Sequence, residues 1–322
     1  MRRFRAFTSL LIMKIAFTGK GGSGKSTVAT LFVAHLRAAG HRVLAVDADV
    51  NVHLAPLLGV TAHSRGALSH PDNVTALRSH LIGDNTLIGG VQRFVATTPP
   101  GPGSRPVTLD PGDPVLAAHA VALDERTHVM HVGTYEPEEI GAGCYHGHLA
   151  ILENLLSHLR TLDGDWVVCD MVAGTDAFAN SLHAQFDAIV VVVEPTPESV
   201  TVARRYRELA AAAGVADLLV FVGNKVADEI DRDYLRRELG TEPLTVLTAQ
   251  AGLRRARQLG VCPSLTDLDD ATPLRRVAEH VRPVDPRRRR ALLRDLHLKT
   301  AGKDWVRNAY GDVSDQLEPV TV

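Results

Sequence analysis

Short apolar runs alternate along this chain with longer amphipathic segments, and the alternation predicts strands and helices in turn. Continuous apolar runs of this length are typical of parallel strands covered on both faces. We predict strands at 14–18, 43–47, 127–132, 166–170, 188–193, 218–223 and 244–247. We predict helices at 25–39, 149–159 and 197–213. The pattern therefore predicts an α/β fold, a doubly wound, mostly parallel sheet with helices on both faces.

Two segments break this alternation. Residues 97–114 are dense in proline and glycine, which favours a mobile surface loop within one domain. The tail 271–322 loses the pattern, and we expect helical or irregular structure there. Residues 1–12 are interpreted as a dispensable extension with Met13 as an alternative start, because their apolar stretch runs into the first strand without a cleavage site. The main domain would then span residues 13–270.

Composition narrows the class of protein. The chain has 322 residues, of which 45% are hydrophobic, enough for one large domain with an appendage or for two modest domains. A formal net charge of -2 argues against binding to nucleic acid through overall charge. Three cysteines, at 144, 169 and 262, favour a reduced cytoplasmic protein over a disulfide scaffold. No apolar run approaches the ~20 residues of a membrane helix.

A glycine-rich turn follows the first predicted strand and precedes the first predicted helix. Its residues are Gly19, Lys20, Gly21, Gly22, Ser23, Gly24, Lys25, Ser26 and Thr27. The spacing G-x-x-x-x-G-K-[ST] in this setting predicts a P-loop, in which backbone N–H groups and the helix N-terminus hold phosphates. We expect Lys25 to neutralise the β- and γ-phosphates and the Ser26 hydroxyl to bind Mg²⁺. A chance glycine-rich turn is the alternative.

An additional lysine in this turn, Lys20, makes the motif similar to that of a known protein family. With Lys20 in place, the string from Gly19 to Thr27 resembles the deviant Walker A motif of the MinD, ParA and nitrogenase iron-protein superfamily. In that family the early lysine reaches across a dimer interface to the partner's nucleotide. The resemblance implies an ATP-dependent homodimer in which Lys20 is catalytic in trans. The alternative is a solvated lysine at a loop tip.

Further segments follow in the family's order. The segment 47–51 resembles switch I, which implies that Asp49 orients the attacking water and that Asp47 lies near the metal; a valine replaces the family's proline here. Asp170 ends a Walker B-like strand and would hold a water bound to Mg²⁺. Gly174 follows where switch II would sense the γ-phosphate. For the two switch I aspartates, a turn or a helix cap is the alternative.

Base recognition is indicated by Asn224 and Lys225, which follow a predicted strand. The pair resembles the guanine reader of GTPases, but Ala227 stands at the position of its acid. In the deviant Walker A ATPases an asparagine at this place contacts adenine. The resemblance therefore implies ATP rather than GTP.

Three shorter segments resemble the CooC-like nickel-insertion ATPases of carbon monoxide dehydrogenase. They are 170–176, 193–196 and 223–226. In that subfamily a Cys-x-Cys pair binds one metal between two subunits, and here Cys144 and His146 occupy its place. Two copies would offer two thiolates and two imidazoles to Zn²⁺ or Ni²⁺. Alternatively, Cys144 is a small buried hydrophobe.

Two functional classes stay open. The first is a maturation ATPase, which delivers a metal to an unknown client enzyme or remodels it through ATP-driven dimer closure. The second is a spatial organiser of the MinD or ParA kind, which binds membrane or DNA through the basic stretch 282–303. A helix packed on its own domain, with solvated arginines, is the other interpretation of that stretch. We favour the maturation ATPase.

Overall fold

The computed structural model of the protein describes residues 13–135, 145–160, 164–175, 178 and 180–318. Its strands are β1 (Met13–Gly19), β2 (Val43–Ala48), β3 (Val121–Ala122), β4 (Thr127–His131), β5 (Trp166–Met171), β6 (Ala188–Val193), β7 (Leu219–Val226) and β8 (Thr245–Thr248). Its helices are α1 (Lys25–Ala38), α2 (Leu54–Leu57), α3 (Pro71–Ile82), α4 (Pro114–His119), α5 (Tyr145–His158), α6 (Pro197–Ala212), α7 (Glu229–Leu239), α8 (Ala251–Gln258), α9 (Thr272–His280), α10 (Pro286–Ala301) and α11 (Asp304–Tyr310).

The strands form one sheet of eight, in the order β3-β4-β2-β5-β1-β6-β7-β8. Every neighbouring pair is parallel except β3 with β4. Strand β1 lies at the centre, between β5 and β6, and carries the P-loop at its carboxyl end. The predicted doubly wound, mostly parallel α/β fold is confirmed.

Successive side chains of each strand enter two different cores, one on each face of the sheet. In β6, Ile189 and Val191 belong to the core that α3, α5 and α6 cover, whereas Val190 and Val192 belong to the core under α1 and α9. All six residues of β6 are buried, which explains why the strand reads as an unbroken apolar run. Because α9 contributes to the second core, that core extends past residue 270, where the sequence placed the end of the main domain.

The proline- and glycine-rich segment 97–114 packs on the body of the protein. Val107 is fully buried, and its backbone pairs with the residues at the end of α5: its N–H donates to the His158 carbonyl at 3.0 Å, and its carbonyl accepts from the Arg160 N–H at 2.8 Å. The hydroxyl of Thr98 donates to the Gln316 side chain at 2.9 Å. At these positions the segment is anchored by hydrogen bonds, because α5 and the tail supply partners for its polar groups.

The tail is helical and is held to the sheet by a buried carboxylate. Asp187, which precedes β6, accepts hydrogen bonds from the backbone N–H groups of Lys14 at 2.8 Å and Val284 at 2.6 Å. It also pairs with the Arg289 guanidinium at 2.5 Å, while Arg288 pairs with Asp217 at the surface. These contacts match the interpretation of the basic stretch as a helix packed on its own domain. Among the described helices, none combines the length and apolar composition of a membrane span.

Candidate nucleotide-binding site

The glycine-rich turn joins the end of β1 to the start of α1. Gly19 has a φ of +147°, and a Cβ added there would lie 2.5 Å from the Val192 carbonyl oxygen of β6. Gly24 precedes α1 with a φ of +91°, and a Cβ there would collide with the Asn224 side chain. The first turn of α1 has neither a side-chain cap nor an acidic residue. Its N–H groups and its partial positive charge are therefore available to a phosphate.

Lys25 lies at the centre of a buried group of charges. Its ammonium forms a short ion pair with the carboxylate of Asp49 and lies 3.6 Å from Oδ1 of Asp170. The same ammonium donates to the Ser26 hydroxyl at 3.4 Å. Lys25 is only 5% exposed, so these charges interact with little screening by water. The arrangement places one mobile cation between the glycine-rich turn and the acidic ends of two strands.

Asp47 and Asp170 are directly opposite each other on the adjacent strands β2 and β5. The Asp47 carboxylate accepts from the N–H groups of Asp49 at 3.3 Å and Ala55 at 2.9 Å. Burial raises the pKa of Asp47 to about 6. Neither carboxylate oxygen of Asp170 has a hydrogen-bond partner in the described structure. Burial raises the pKa of Asp170 to about 7, although the charge of Lys25 acts in the opposite direction.

Replacing Asp170 with asparagine is expected to stabilise the protein increasingly as the pH rises from 5 to 8. The carboxyl releases its proton near pH 3.8 when unfolded but near pH 7 when folded, so ionisation costs folding free energy across this interval. The cost is complete above the folded pKa and is on the order of 2 to 4 kcal/mol. Urea unfolding without nucleotide or Mg²⁺ measures it. Asp217→Asn is the control: pairing with Arg288 lowers the pKa of Asp217, so this substitution should destabilise the protein by an amount that does not change between pH 5 and pH 8. An equal difference between wild type and Asp170→Asn at pH 5 and pH 8 would contradict the prediction.

Asp49 is oriented from two sides. Its Oδ1 accepts from both the backbone and the side-chain N–H of Asn51, each at 3.0 Å, and its Oδ2 meets Lys25. Burial acts to raise the pKa of Asp49, but the hydrogen bond from Lys25 and those from Asn51 outweigh it, and the net pKa is lowered. Val52 follows with a φ of +47°, a strained conformation for a β-branched residue. Segment 47–52 is thus a tight, preorganised turn beside Lys25.

The donor set at this edge fits Mg²⁺. The hydroxyl of Ser26 and the carboxylates of Asp47 and Asp170 are hard oxygen ligands of the kind that Mg²⁺ prefers, either directly or through water. The decisive observation is the buried Asp170 carboxylate, whose two unsatisfied oxygens are costly without a cation or water. The residues present therefore fit the metal that a P-loop requires.

Gly174 is joined to the glycine-rich turn by its backbone. Its N–H donates to the Gly19 carbonyl at 3.1 Å, and its own carbonyl accepts from the hydroxyl of Tyr206 at 2.5 Å. Tyr206 is fully buried in α6 and also contacts the Thr18 hydroxyl closely. The predicted switch II glycine thus lies against the P-loop. Nothing in the sequence pattern marked Tyr206 as part of this arrangement.

Asn224 and Lys225 lie within β7 rather than after it. A register shift between Gly223 and Val226, together with a φ of +58° at Lys225, turns the two side chains towards the P-loop. Asn224 Nδ2 donates to the Ser23 carbonyl at 2.7 Å. Lys225 Nζ donates to the Gly22 carbonyl at 2.8 Å. Lys225 also forms a short ion pair with Glu194, a residue that sequence reasoning placed in a family segment but not in the site.

Replacing Asn224 with alanine is expected to remove most of any preference for ATP over GTP. The hydrogen bond to Ser23 uses the amide NH₂, and this fixes Oδ1 as an acceptor. An acceptor can bind the exocyclic NH₂ of adenine but repels the O6 of guanine. Its removal should therefore lower the ratio of ATP affinity to GTP affinity about tenfold. Equilibrium binding of fluorescent ATP and GTP analogues measures the ratio. Equal loss of affinity for both nucleotides would assign Asn224 only to the support of the loop.

Two predicted positions remain to be placed. Lys20 is half-buried at the tip of the turn, where its ammonium donates to the Gly21 carbonyl of the same loop at 3.2 Å. Cys144 lies outside the described residues, and of His146 the structure describes only its place in α5. In the described part of the chain no group of three His, Cys, Asp or Glu side chains could hold a metal ion. The Zn²⁺ or Ni²⁺ site therefore stays a prediction.

The parallel sheet, the uncapped helix after a glycine-rich turn and the Lys25 ammonium among strand-end carboxylates together define a P-loop nucleoside triphosphatase. Within that class, the chain belongs to the CobQ/CobB/MinD/ParA nucleotide binding domain family, whose sequence model matches residues 14–258.

Relatives of known sequence agree with this assignment. The chain is 30% identical over 223 residues to the carbon monoxide dehydrogenase accessory protein CooC of Rhodospirillum rubrum, a match that covers 69% of this chain and 78% of CooC. It is 31% identical over 238 residues to an uncharacterised ATP-binding protein of Methanocaldococcus jannaschii, covering 72% of this chain and 83% of that protein. The predicted resemblance to the CooC-like ATPases is confirmed.

Solved structures share the fold. The Pyrococcus furiosus cell division ATPase MinD matches with a TM-score of 0.52 and 17% identity, covering 83% of this chain and 97% of its own. The ATP complex of a Cyanothece McdA variant matches with a TM-score of 0.55 and 13% identity, covering 86% and 99%.

Proposed function

We propose that the chain is a Mg²⁺-dependent ATPase that closes as a homodimer on ATP and serves the maturation of a client metalloenzyme. The observation that supports the ATPase part is Lys25, a buried ammonium held between Asp49 and Asp170 at the start of α1. A triphosphate in the glycine-rich turn competes with these carboxylates for the same cation. ATP binding therefore changes what Asp49 can contact.

Lys25, Asp49 and Asn51 have different roles in this reaction. Lys25 moves its charge from Asp49 to the β- and γ-phosphates, where charge develops during phosphoryl transfer. The released Asp49 oxygen then accepts a hydrogen bond from the attacking water, while Asn51 keeps the carboxylate oriented.

Ser26, Asp47 and Asp170 would hold the metal in this scheme. When bound, Mg²⁺ would supply positive charge that offsets the negative charge of the phosphates. The protein's part is to keep two carboxylates and one hydroxyl at one edge of the sheet. Asp47 is fixed for this by the N–H groups of Asp49 and Ala55, so its geometry is set before any ligand arrives.

Dimer closure is supported by the position of Lys20. Its bond to the Gly21 carbonyl of its own loop, at 3.2 Å, is a single contact near the surface and costs little to break. An ammonium released from the loop tip can then reach a phosphate held by the facing subunit. This is the role implied by the deviant Walker A motif.

The maturation role is supported by similarity to a protein named as an accessory of carbon monoxide dehydrogenase, and by Cys144 and His146 in the sequence. It is tested with purified protein, a non-hydrolysable ATP analogue and Zn²⁺ or Ni²⁺, followed by light scattering and metal analysis. We expect a dimer with one metal ion, which is lost in Cys144→Ser and kept in the control Cys262→Ser. Equal metal content in wild type and Cys144→Ser would remove the metal-delivery role and leave the ATPase untouched.

A further inference from the structure

A cavity of about 1050 Å³ opens at the edge of the sheet where the strands begin, opposite to the nucleotide site. Lys14 lies at this end of β1 and Gly19 at the other. Gly19 is five residues further along the extended strand than Lys14, so these two positions are about 17 Å apart. The walls of the cavity come from segment 99–106, the end of α5 and one side of α10. The mechanism described above uses none of these elements.

Two buried side chains on the cavity wall have unused hydrogen-bond acceptors. His158 is 3% exposed, and burial keeps its ring neutral by lowering the pKa to about 4. Its Nδ1 donates to the Asn154 carbonyl at 2.9 Å, so its Nε2 is an acceptor. In the described structure this Nε2 has no hydrogen-bond partner. The same is true of Oε1 of Gln185, a residue that is 2% exposed. A buried acceptor without a hydrogen bond costs folding free energy. A ligand that brings N–H or O–H donors recovers this energy after a small side-chain rotation.

The rim of the cavity is strongly basic. Arg290 and Arg294 project from α10, and Arg160 follows α5. Asp187, an acidic residue nearby, is already paired with Arg289. Glu318 is an acidic residue that lines the cavity. The buried Lys14 side chain at the wall donates to the Leu156 carbonyl at 2.5 Å, and burial lowers its pKa to about 7, so the positive charge of the site comes from the arginines of the rim. Clustered guanidinium groups of this kind recognise carboxylates.

The remaining wall is apolar and stiff. It includes the prolines 99, 100, 102, 106, 283 and 286 together with Leu159, Leu293 and Leu317. Proline fixes its own backbone, so these walls hold their shape without a ligand. A binding partner therefore needs three properties at once: hydrogen-bond donors, negative charge and apolar surface.

We propose that this cavity binds an acidic, extended peptide segment of a partner protein. Backbone N–H groups of such a segment supply the donors that His158 and Gln185 lack. Its carboxylates meet the arginines of the rim, and its apolar side chains meet the proline and leucine walls. A free inorganic anion satisfies only the arginines, which is why the peptide is the better match.

The test uses the full chain and a fluorescein-labelled peptide of alternating glutamate and leucine, followed by fluorescence anisotropy. Reversing the charge of the rim in Arg290→Glu/Arg294→Glu is expected to weaken binding at least about tenfold. The charge-matched control Arg232→Glu/Arg236→Glu on α7 should bind within about twofold of wild type, since rim-distant charges act only through the screened field. Gln185→Leu, which removes one acceptor at similar volume, should weaken peptide binding severalfold.

Competition separates the peptide from a simple anion. Unlabelled peptide should displace the probe, whereas inorganic phosphate at the same concentration should not. ATP hydrolysis by all three variants should stay at the wild-type rate, because the cavity lies at the other end of β1. Wild-type affinity in the rim variant, or displacement by phosphate as efficient as that by peptide, would overturn the proposal.

Discussion

Lys25→Ala should lower the rate of ATP hydrolysis at least about a thousandfold, because the substitution removes the positive charge that stabilises the transferred phosphoryl group. Among the described residues, Lys25 is the cation that pairs with both Asp49 and Asp170. Phosphate release under saturating ATP and Mg²⁺ measures the effect. Lys299→Ala on the exposed face of α10 is the matched control and should hydrolyse ATP at the wild-type rate.

The same substitution leaves two buried carboxylates without their cation. The resulting loss of folding stability must be measured separately from the loss of catalytic activity. Breaking a buried ion pair by removing one partner costs about 3–5 kcal/mol. The penalty should shrink at pH 6, because Asp170, whose pKa is about 7 with Lys25 present, then stays protonated. Circular dichroism and hydrolysis at pH 6 and pH 8 report fold and activity independently. A folded Lys25→Ala protein that hydrolyses ATP at the wild-type rate would refute the proposed role.

Lys20→Ala should lower ATP hydrolysis by about a thousandfold as well, but for a different reason. A cation supplied in trans to a phosphoryl-transfer site contributes on this scale. Unlike Lys25, Lys20 makes its hydrogen bond at the tip of the loop and away from the buried carboxylates. We therefore expect Lys20→Ala to keep its stability and its nucleotide affinity as a monomer, while losing both hydrolysis and ATP-dependent dimerisation in light scattering.

Mixing the two variants distinguishes action in trans from action in cis. A mixed dimer pairs the intact Lys25 of the Lys20→Ala subunit with the intact Lys20 of the Lys25→Ala subunit. One complete site per mixed dimer is then expected to restore a measurable fraction of the wild-type rate. If the mixture is no more active than either variant alone, Lys20 does not serve the facing subunit.

The fold could be predicted because parallel strands covered on both faces leave a direct trace in the sequence. Strand β6 lies at Ala188–Val193, the residues predicted for it. Strand β7 extends to Val226, beyond its predicted end, because Asn224 and Lys225 are polar and lie in a register shift that no periodicity shows. Helix α5 begins at Tyr145, four residues before its predicted start, since the polar stretch after Tyr145 hides the first turn.

The site divides in the same way. The glycine-rich turn and the strand-end aspartates could be found because each is a local motif of fixed spacing. Asp187 and Tyr206 could not, since their partners Lys14 and Gly174 are 173 and 32 residues away along the chain. Glu194 left a weak trace, as part of a segment resembling the family, but only its contact with Lys225 gives it a role. Local motifs can be recognised in the sequence, whereas contacts between residues that are distant along the chain cannot.

The central place of β1 also has a consequence for biosynthesis. Strand β1 is translated well before both of its hydrogen-bonding neighbours, since β5 and β6 begin only at Trp166 and Ala188. The apolar strand must wait, unpaired, until β5 and β6 have been translated. Such non-local pairing is slow and exposes the nascent chain to aggregation. The nucleotide cannot assist this early stage, because the turn that holds it takes shape only when β6 arrives beside Gly19.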